Sequence, residues 1–355
     1  MNKSSIDNQK RILIVGNFLS SAYGTQGICE ILADKLVKAD WSVETTSTQT
    51  SRLLRLLDML STIWRTRRHY EIAHVDVFSG TSFIWAEITT WLLRRLKKPY
   101  ILTLHGGNLP PFAQRWPGRV ERMLRSADAV TTPSHYLHDN LSHYRDDIQV
   151  LPNGLDLSAY HYQLRQQVKP NLAWLRAFHE IYNPSMVAAI IAQLAPDFPE
   201  LELTMYGPDK ADGSLQRMRQ KAKEHGVNER IHTPGAVPKT KVPEYLSQHD
   251  IFLNTTTAES FGVSVMEAAA LGMCIVTTNV GELPYIWTDG EDALLVPPND
   301  PEAMANAVRR ILTEPGLAEK LSRNARAKAE QFDWSVMLPQ WEQLLLKVAR
   351  EHFDE

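Results

Sequence analysis

The sequence predicts an α/β protein built of two doubly wound, Rossmann-like domains facing a cleft. Three observations carry that prediction. The chain has 355 residues and a mass of 40.3 kDa, more than one small core normally organises. Short apolar runs of strand length alternate with helix-length segments along the chain, the pattern of parallel sheets covered by helices on both faces. The alternation stops at a polar, weakly patterned stretch, residues 156–167, and then starts again.

The first series opens with the apolar strand RILIVGNF at residues 11–18, which runs into a Gly/Ser loop at 20–27 and then an amphipathic helix from Ile28 to Val37. Strands are expected at Trp41–Thr46, Ile72–Val77 and Tyr100–Leu104, followed by the short runs 128–134 and 148–154. The second series has expected strands at Ala173–Leu175, Leu201–Tyr206, Ile251–Asn254, Cys274–Thr278 and Leu294–Val296, with helical spacers between them. Residues 1–158 therefore form the expected first domain and 165–333 the second. The tail at 334–355 is expected to return as a helix onto the first domain. In such sheets ligands collect at the carboxyl ends of the strands.

Composition excludes several classes. Hydrophobic residues at 43%, charged residues at 22%, 17 Gly and 20 Pro describe a globular chain, neither disordered nor collagenous. Cys29 and Cys274 are too far apart for a metal-type spacing and point to a reducing, cytoplasmic compartment. The polar N-terminus has no signal-peptide core. The longest greasy run, Phe83–Leu93, contains Glu87 and has 11 residues, where a membrane span needs about 20. The net charge of −3 is uneven: Arg52–Arg125 carries 13 basic against 5 acidic residues, a footprint for an anionic partner. No nucleic-acid-reading motif accompanies it, so nucleic acid is not the expected partner.

The densest chemical signal is the run 255–284. Glu259 precedes a helix starting near Val263, and Glu267 lies inside it among Val265, Met266 and Ala268–Ala270. A buried carboxylate needs donors, and the two hydroxyls of a ribose would serve; an Arg or backbone partner within the fold would serve as well. The N–H groups of Phe261, Gly262 and Val263 would make an anion site at the helix start, with Glu259 either beside it or acting as a cap. There is no D-x-D pair to hold a divalent cation. There is also no G-x-G-x-x-G after the first strand, only Gly16, Gly24 and Gly27, which disfavours a nicotinamide or flavin enzyme.

The spacing E-x7-E followed by A-x-x-x-G and a strand resembles the donor-site motif of retaining glycosyltransferases of sequence family four, the "glycosyl transferases group 1", which have the GT-B fold. The likeness covers nearly the whole chain: the loop Gly24–Gly27, LHGG around His105, PNGLD at Pro152–Asp156, Arg176 after a strand and Gly207 at a strand end follow in order. The resemblance implies that Glu267 holds a ribose, that Glu259 and the amides of Phe261, Gly262 and Val263 hold the donor sugar, that Arg176 faces the diphosphate and that His105 lies close to the transferred sugar. The resemblance further implies that Gly24, Gly27 and Gly207 belong to loops lining the same ligand. It also implies a nucleoside-diphosphate sugar as donor substrate, no separate cofactor or metal, a glycan or lipid-linked acceptor, and a place in bacterial-type polysaccharide or glycolipid synthesis. A silent nucleotide-sugar or glycan binder and a same-fold nucleotide-sugar epimerase are the rival readings.

The chain departs from the family pattern where the diphosphate should bind. Tyr182 stands where a lysine is usual, Tyr285 where the motif G-G-x-P-E has its Glu, and Asn254-Thr255 where Pro-Ser is usual. Losing one charge-assisted contact would cost about 1.5–3 kcal/mol unless another cation compensates, and Lys210 is the candidate. A second feature lies outside the motif. Leu53, Leu54, Leu56, Leu57, Leu60, Ile63 and Trp64 interleave with Arg52, Arg55, Arg65, Arg67 and Arg68, and a basic edge follows at Arg94, Arg95, Lys97 and Lys98. These segments, 52–68 and 94–98, are either ordinary sheet-covering helices or a peripheral contact with anionic lipid at the inner membrane surface.

Overall fold

A computed structural model describes residues 10–20 and 27–354. Gly24 of the expected glycine loop therefore lies outside the described residues. The chain divides into two compact units, one formed by 1–154 with 334–355 and the other by 155–333.

In the first unit six parallel strands, β1 (Arg11–Val15), β2 (Ser42–Thr46), β3 (Ile72–Val77), β4 (Tyr100–Leu104), β5 (Ala129–Thr132) and β6 (Gln149–Val150), stand in the order β2-β1-β3-β4-β5-β6. The chain leaves β1 towards one edge and returns to β3 on the other side, so the topological switch point lies between β1 and β3. Alternation along the strands sends Leu13, Val15, Val75, Val77, Leu102 and Leu104 to one face, against Phe83, Met123 and Leu137. The opposite face carries Ile12, Ile14, Ile72 and Ile101, packed with Leu32 and Leu36 of the helix Ile28–Lys38 and with Trp334, Trp341 and Leu345 of the helix Trp334–Asp354. The C-terminal helix is thus part of the first unit's core.

In the second unit β7 (Asn171–Leu175), β8 (Glu202–Tyr206), β9 (Ile231–Gly235), β10 (Ile251–Asn254), β11 (Cys274–Thr278) and β12 (Leu294–Val296) form a parallel sheet ordered β12-β11-β10-β7-β8-β9. Its switch point lies between β7 and β10. One face packs Trp174 and Leu172 against Val187, Ile190 and Ile191. The other packs Ala173 and Phe252 against Val265 and Ala268–Ala270 of the helix Val263–Ala270. The small alanine side chains let that helix lie close to the sheet.

Two expectations need correction. β9 was expected as part of a helical spacer; it is an edge strand in which Ile231 is the only buried residue, so it carries little apolar signal. The expected linker at 156–167 is packed into the second unit. Tyr160 and Arg165 within it are buried, and the Arg165 guanidinium donates to the carbonyls of Gln163, Leu271, Ser247 and His249 and to Asp250.

Candidate active site

The second unit builds its site at the carboxyl ends of the two switch-point strands. Arg176 is the first residue after β7, and its N–H donates to the Tyr206 carbonyl at the end of β8 (3.0 Å). Gly207 permits this approach: a Cβ there would fall 1.7 Å from the Arg176 carbonyl oxygen, at a φ of +150°. The loop after β10 is tied to the loop after β7 by a threonine run. Thr255 Oγ1 donates to the Tyr182 carbonyl (2.7 Å) and accepts from Trp174 Nε1 (3.0 Å), while the Thr257 N–H reaches the Ile181 carbonyl (2.8 Å). Because both loops are pinned, Arg176 and Glu259 meet in an ion pair, with 14% and 9% of their side chains exposed.

That pair is held from both sides. Glu259 Oε1 accepts from the N–H groups of Ser260 (3.1 Å) and Phe261 (3.3 Å). The guanidinium lies over the Tyr182 ring, 5.0 Å from its centroid, and its Nε is buried with no hydrogen-bond partner. Tyr182, where the sequence led to the expectation of a lysine, therefore contributes a ring that steadies the Arg176 guanidinium, a contact worth about 0.5–2 kcal/mol. Gly281 lets the next loop cross closely, because a Cβ there would be 1.9 Å from the Glu259 carbonyl oxygen. Tyr285 beyond it is half exposed.

Glu267 is 2% exposed inside its helix, and the structure supplies its partners. Oε1 accepts from Tyr160 Oη at 2.6 Å and pairs with Lys239 Nζ. Burial and the neighbouring Glu267 charge push the Tyr160 phenol well above its ordinary range, so it remains a donor. The expected internal partner was an Arg or the backbone; it is instead a lysine and a tyrosine. Sequence reasoning missed both, because Tyr160 lies in the supposed linker and Lys239 follows the unrecognised strand β9.

The expected anion cradle is only partly open. The Phe261 N–H is already taken by Glu259, and the ring packs against Phe332. Gly262 starts the helix in the left-handed region at φ +91°, and no backbone acceptor is found among the described residues for the N–H groups of Gly262 and Val263. Lys210 is exposed. Its N–H donates to the Phe178 carbonyl (3.2 Å) beside the Arg176 loop, while its ammonium makes no hydrogen bond or ion pair among the described residues.

In the first unit, His105 follows β4 and is 6% exposed. Its ring stacks on Phe78, with centroids 5.0 Å apart, and Nε2 meets Asp76 Oδ1 at 3.1 Å. Asp76 was not singled out from the sequence. Gly27 caps the helix Ile28–Lys38, and its N–H donates to Glu30 Oε2 (2.7 Å), so this amide is satisfied internally.

Comparison with known proteins agrees with this architecture. The family model "Glycosyl transferases group 1" matches residues 169–328, and "Glycosyltransferase Family 4" matches 29–159. A D-inositol 3-phosphate glycosyltransferase of Paenarthrobacter aurescens is 26% identical over 284 residues, 75% of this chain and 68% of that protein. A glycogen synthase of Mycobacterium tuberculosis is 26% identical over 236 residues, 64% of this chain and 56% of that protein. Sucrose-phosphate synthase from Thermosynechococcus elongatus has a similar structure, with a TM-score of 0.78 at 20% identity over 96% of this chain and 99% of that one. Anabaena HepE, solved in complex with UDP and glucose, gives 0.76 at 17% identity over 95% and 99%. With two parallel six-stranded sheets flanked by helices and both family models matched in order, the chain belongs to the glycosyl transferases group 1 and has the GT-B fold.

Proposed function

We propose that this protein is a retaining hexosyltransferase that moves a sugar from a nucleoside diphosphate to an acceptor hydroxyl in polysaccharide or glycolipid synthesis, without a metal. The observation that carries the reading is the Arg176–Glu259 pair at the switch point of the second unit, with Glu267 buried in the helix that follows. A planar, permanently charged guanidinium suits a leaving diphosphate. As the glycosidic bond breaks, negative charge grows on the phosphate oxygens, and a fixed cation in a desolvated site stabilises that change. Glu259, already oriented by Ser260 and Phe261, is placed to hold a donor-sugar hydroxyl once the diphosphate engages Arg176. Glu267 offers acceptor oxygens to the two ribose hydroxyls. Lys239 and Tyr160 keep that carboxylate satisfied before the nucleotide arrives.

The experiment is a screen of UDP-, GDP- and ADP-sugars for diphosphate release, with the product's anomeric configuration read by NMR and EDTA added in parallel. Release with retention, insensitive to EDTA, is expected. A nucleotide sugar regenerated with an altered sugar would favour the epimerase reading. Binding without turnover would favour a silent binder.

One surface supports a second reading, peripheral contact with anionic lipid at the inner face of a membrane. The helix Arg52–Arg65 packs Met59 and Ile63 into the core but leaves Leu53, Leu54, Leu57 and Trp64 exposed, and Trp91 on the helix Thr81–Arg95 is also exposed. Arg67 and Arg95 lie over these two tryptophans. Not every basic residue of the segments faces outward: Arg55 is buried on the carbonyls of Gln49 and Thr50, and Lys98 donates to the Tyr70 carbonyl. Among the described residues no helix is long and apolar enough to cross a membrane. Replacing Leu53, Leu54 and Leu57 with Ser should abolish sedimentation with phosphatidylglycerol vesicles; unchanged sedimentation would contradict this reading.

A further inference from the structure

The first unit holds a buried polar cluster that the donor site does not use. It lies on the face of the first sheet covered by the helix Trp334–Asp354, at the switch point between β1 and β3. Asp76, with 6% of its side chain exposed, is flanked by His105 Nε2 at 3.1 Å and His74 Nε2 at 3.9 Å. The Cys29 thiol reaches the same carboxylate, and Gly16 makes room for that approach: a Cβ there would lie 2.7 Å from Cys29 Sγ and 3.0 Å from Asp76 Oδ2. Burial favours the protonated carboxyl, but the contact with His105 and the Cys29 thiol outweigh it and hold Asp76 below its ordinary range, so it is an anion.

A buried anion demands donors, and that demand fixes protons. His74 Nε2, too far from Asp76 for a hydrogen bond, meets Thr103 Oγ1 (2.7 Å), which bonds Thr131 Oγ1 (2.7 Å), and that hydroxyl in turn donates to the Leu102 carbonyl (3.3 Å). Read from the carbonyl backwards, each oxygen is a donor to the next, so His74 supplies its proton from Nε2 and its Nδ1 is left bare, as its lack of any partner requires. His105 has no such chain. The only hydrogen bond of its ring among the described residues is Nε2 to Asp76, and the stack on Phe78 holds the ring's plane. Its Nδ1 is not among the polar atoms sealed from solvent without a partner.

We infer that Asp76 is the positioning residue for His105: it fixes the imidazole proton on Nε2 and presents the Nδ1 lone pair outward as an acceptor for a sugar hydroxyl. The same carboxylate–histidine logic orients imidazoles in other active sites. The hydroxyl-binding part of the inference rests on the reading that His105 meets the transferred sugar; the tautomer does not.

The test separates the two. Nitrogen-15 NMR of the imidazoles in the wild-type protein reads the tautomer without any turnover, and Nε2 protonated with Nδ1 bare is the result expected for His105. Asp76→Asn keeps the shape but can donate as well as accept, so it should populate the other tautomer. It should also lower kcat for transfer about tenfold or more while changing the donor KM less than about twofold. Gly16→Ala, which presses on the carboxylate from the other side, should move the His105 signals in the same direction should the Asn variant fold poorly. Wild-type His105 carrying its proton on Nδ1, or unchanged His105 signals in both variants, would overturn the inference. A shifted tautomer with unchanged kcat would uphold the role of Asp76 and overturn the sugar contact of His105.

Discussion

Glu267 shows how a single residue can be legible while its partners are not. Its spacing from Glu259 and its apolar neighbours mark a costly carboxylate from sequence alone. The side chains that satisfy it lie 107 and 28 positions away, at Tyr160 and Lys239, and no local pattern links them. Asp76 escaped notice for the same reason: its partner His105 is 29 residues on, across two strands. Truncating Lys239 leaves Glu267 with the tyrosine alone. Because the lysine is a third exposed, its ion pair is partly screened, and Lys239→Ala should cost about 1–2 kcal/mol in urea unfolding. Tyr160→Phe should cost about 1–3 kcal/mol, the penalty for a buried acceptor deprived of a donor.

Elements that carry an apolar run were readable: eleven of the twelve described strands overlap runs expected from the sequence. β9 was not, since His232, Thr233 and Pro234 give an edge strand no inward-facing apolar run. Backbone crossings were equally hidden. Gly207 closes the gap between β8 and the Arg176 loop, whereas Gly118, in the helix Pro117–Arg125, has nothing within 4 Å of a Cβ. Gly207→Ala should therefore unseat Arg176, with a stability loss above about 3 kcal/mol and loss of donor turnover. Gly118→Ala should stabilise the protein by about 0.4–1 kcal/mol through the unfolded chain. Thermal melts of the two variants check this directly, and equal shifts would show that the crossing is not constrained as described.

Across the whole molecule, buried ionisable groups set the response to acid. Burial lowers the His74 imidazole to about 4, with the Asp76 charge only partly opposing it. The unfolded chain takes up this proton near the ordinary histidine value of about 6.5 and the folded protein only near 4, so stability is complete above about 6.5 and falls as the pH drops between those values. His249, also lowered by burial, acts in the same sense. A melting temperature that declines from pH 7 to pH 4 is expected, and His74→Gln should flatten the decline. A profile unchanged by that substitution would mean that His74 is not the controlling group.

The central claim is that the second unit grips a nucleoside diphosphate through Arg176 at the phosphates and Glu267 at the ribose. Calorimetric titration of the wild type, Arg176→Ala and Glu267→Ala with the nucleoside diphosphate of the active donor tests it most directly, with folding of each variant verified by circular dichroism. Both substitutions should weaken binding by about tenfold or more, and the Glu267→Ala loss should shrink when the ligand's ribose lacks its two hydroxyls. Folded variants that bind the intact ligand as tightly as the wild type would contradict the account.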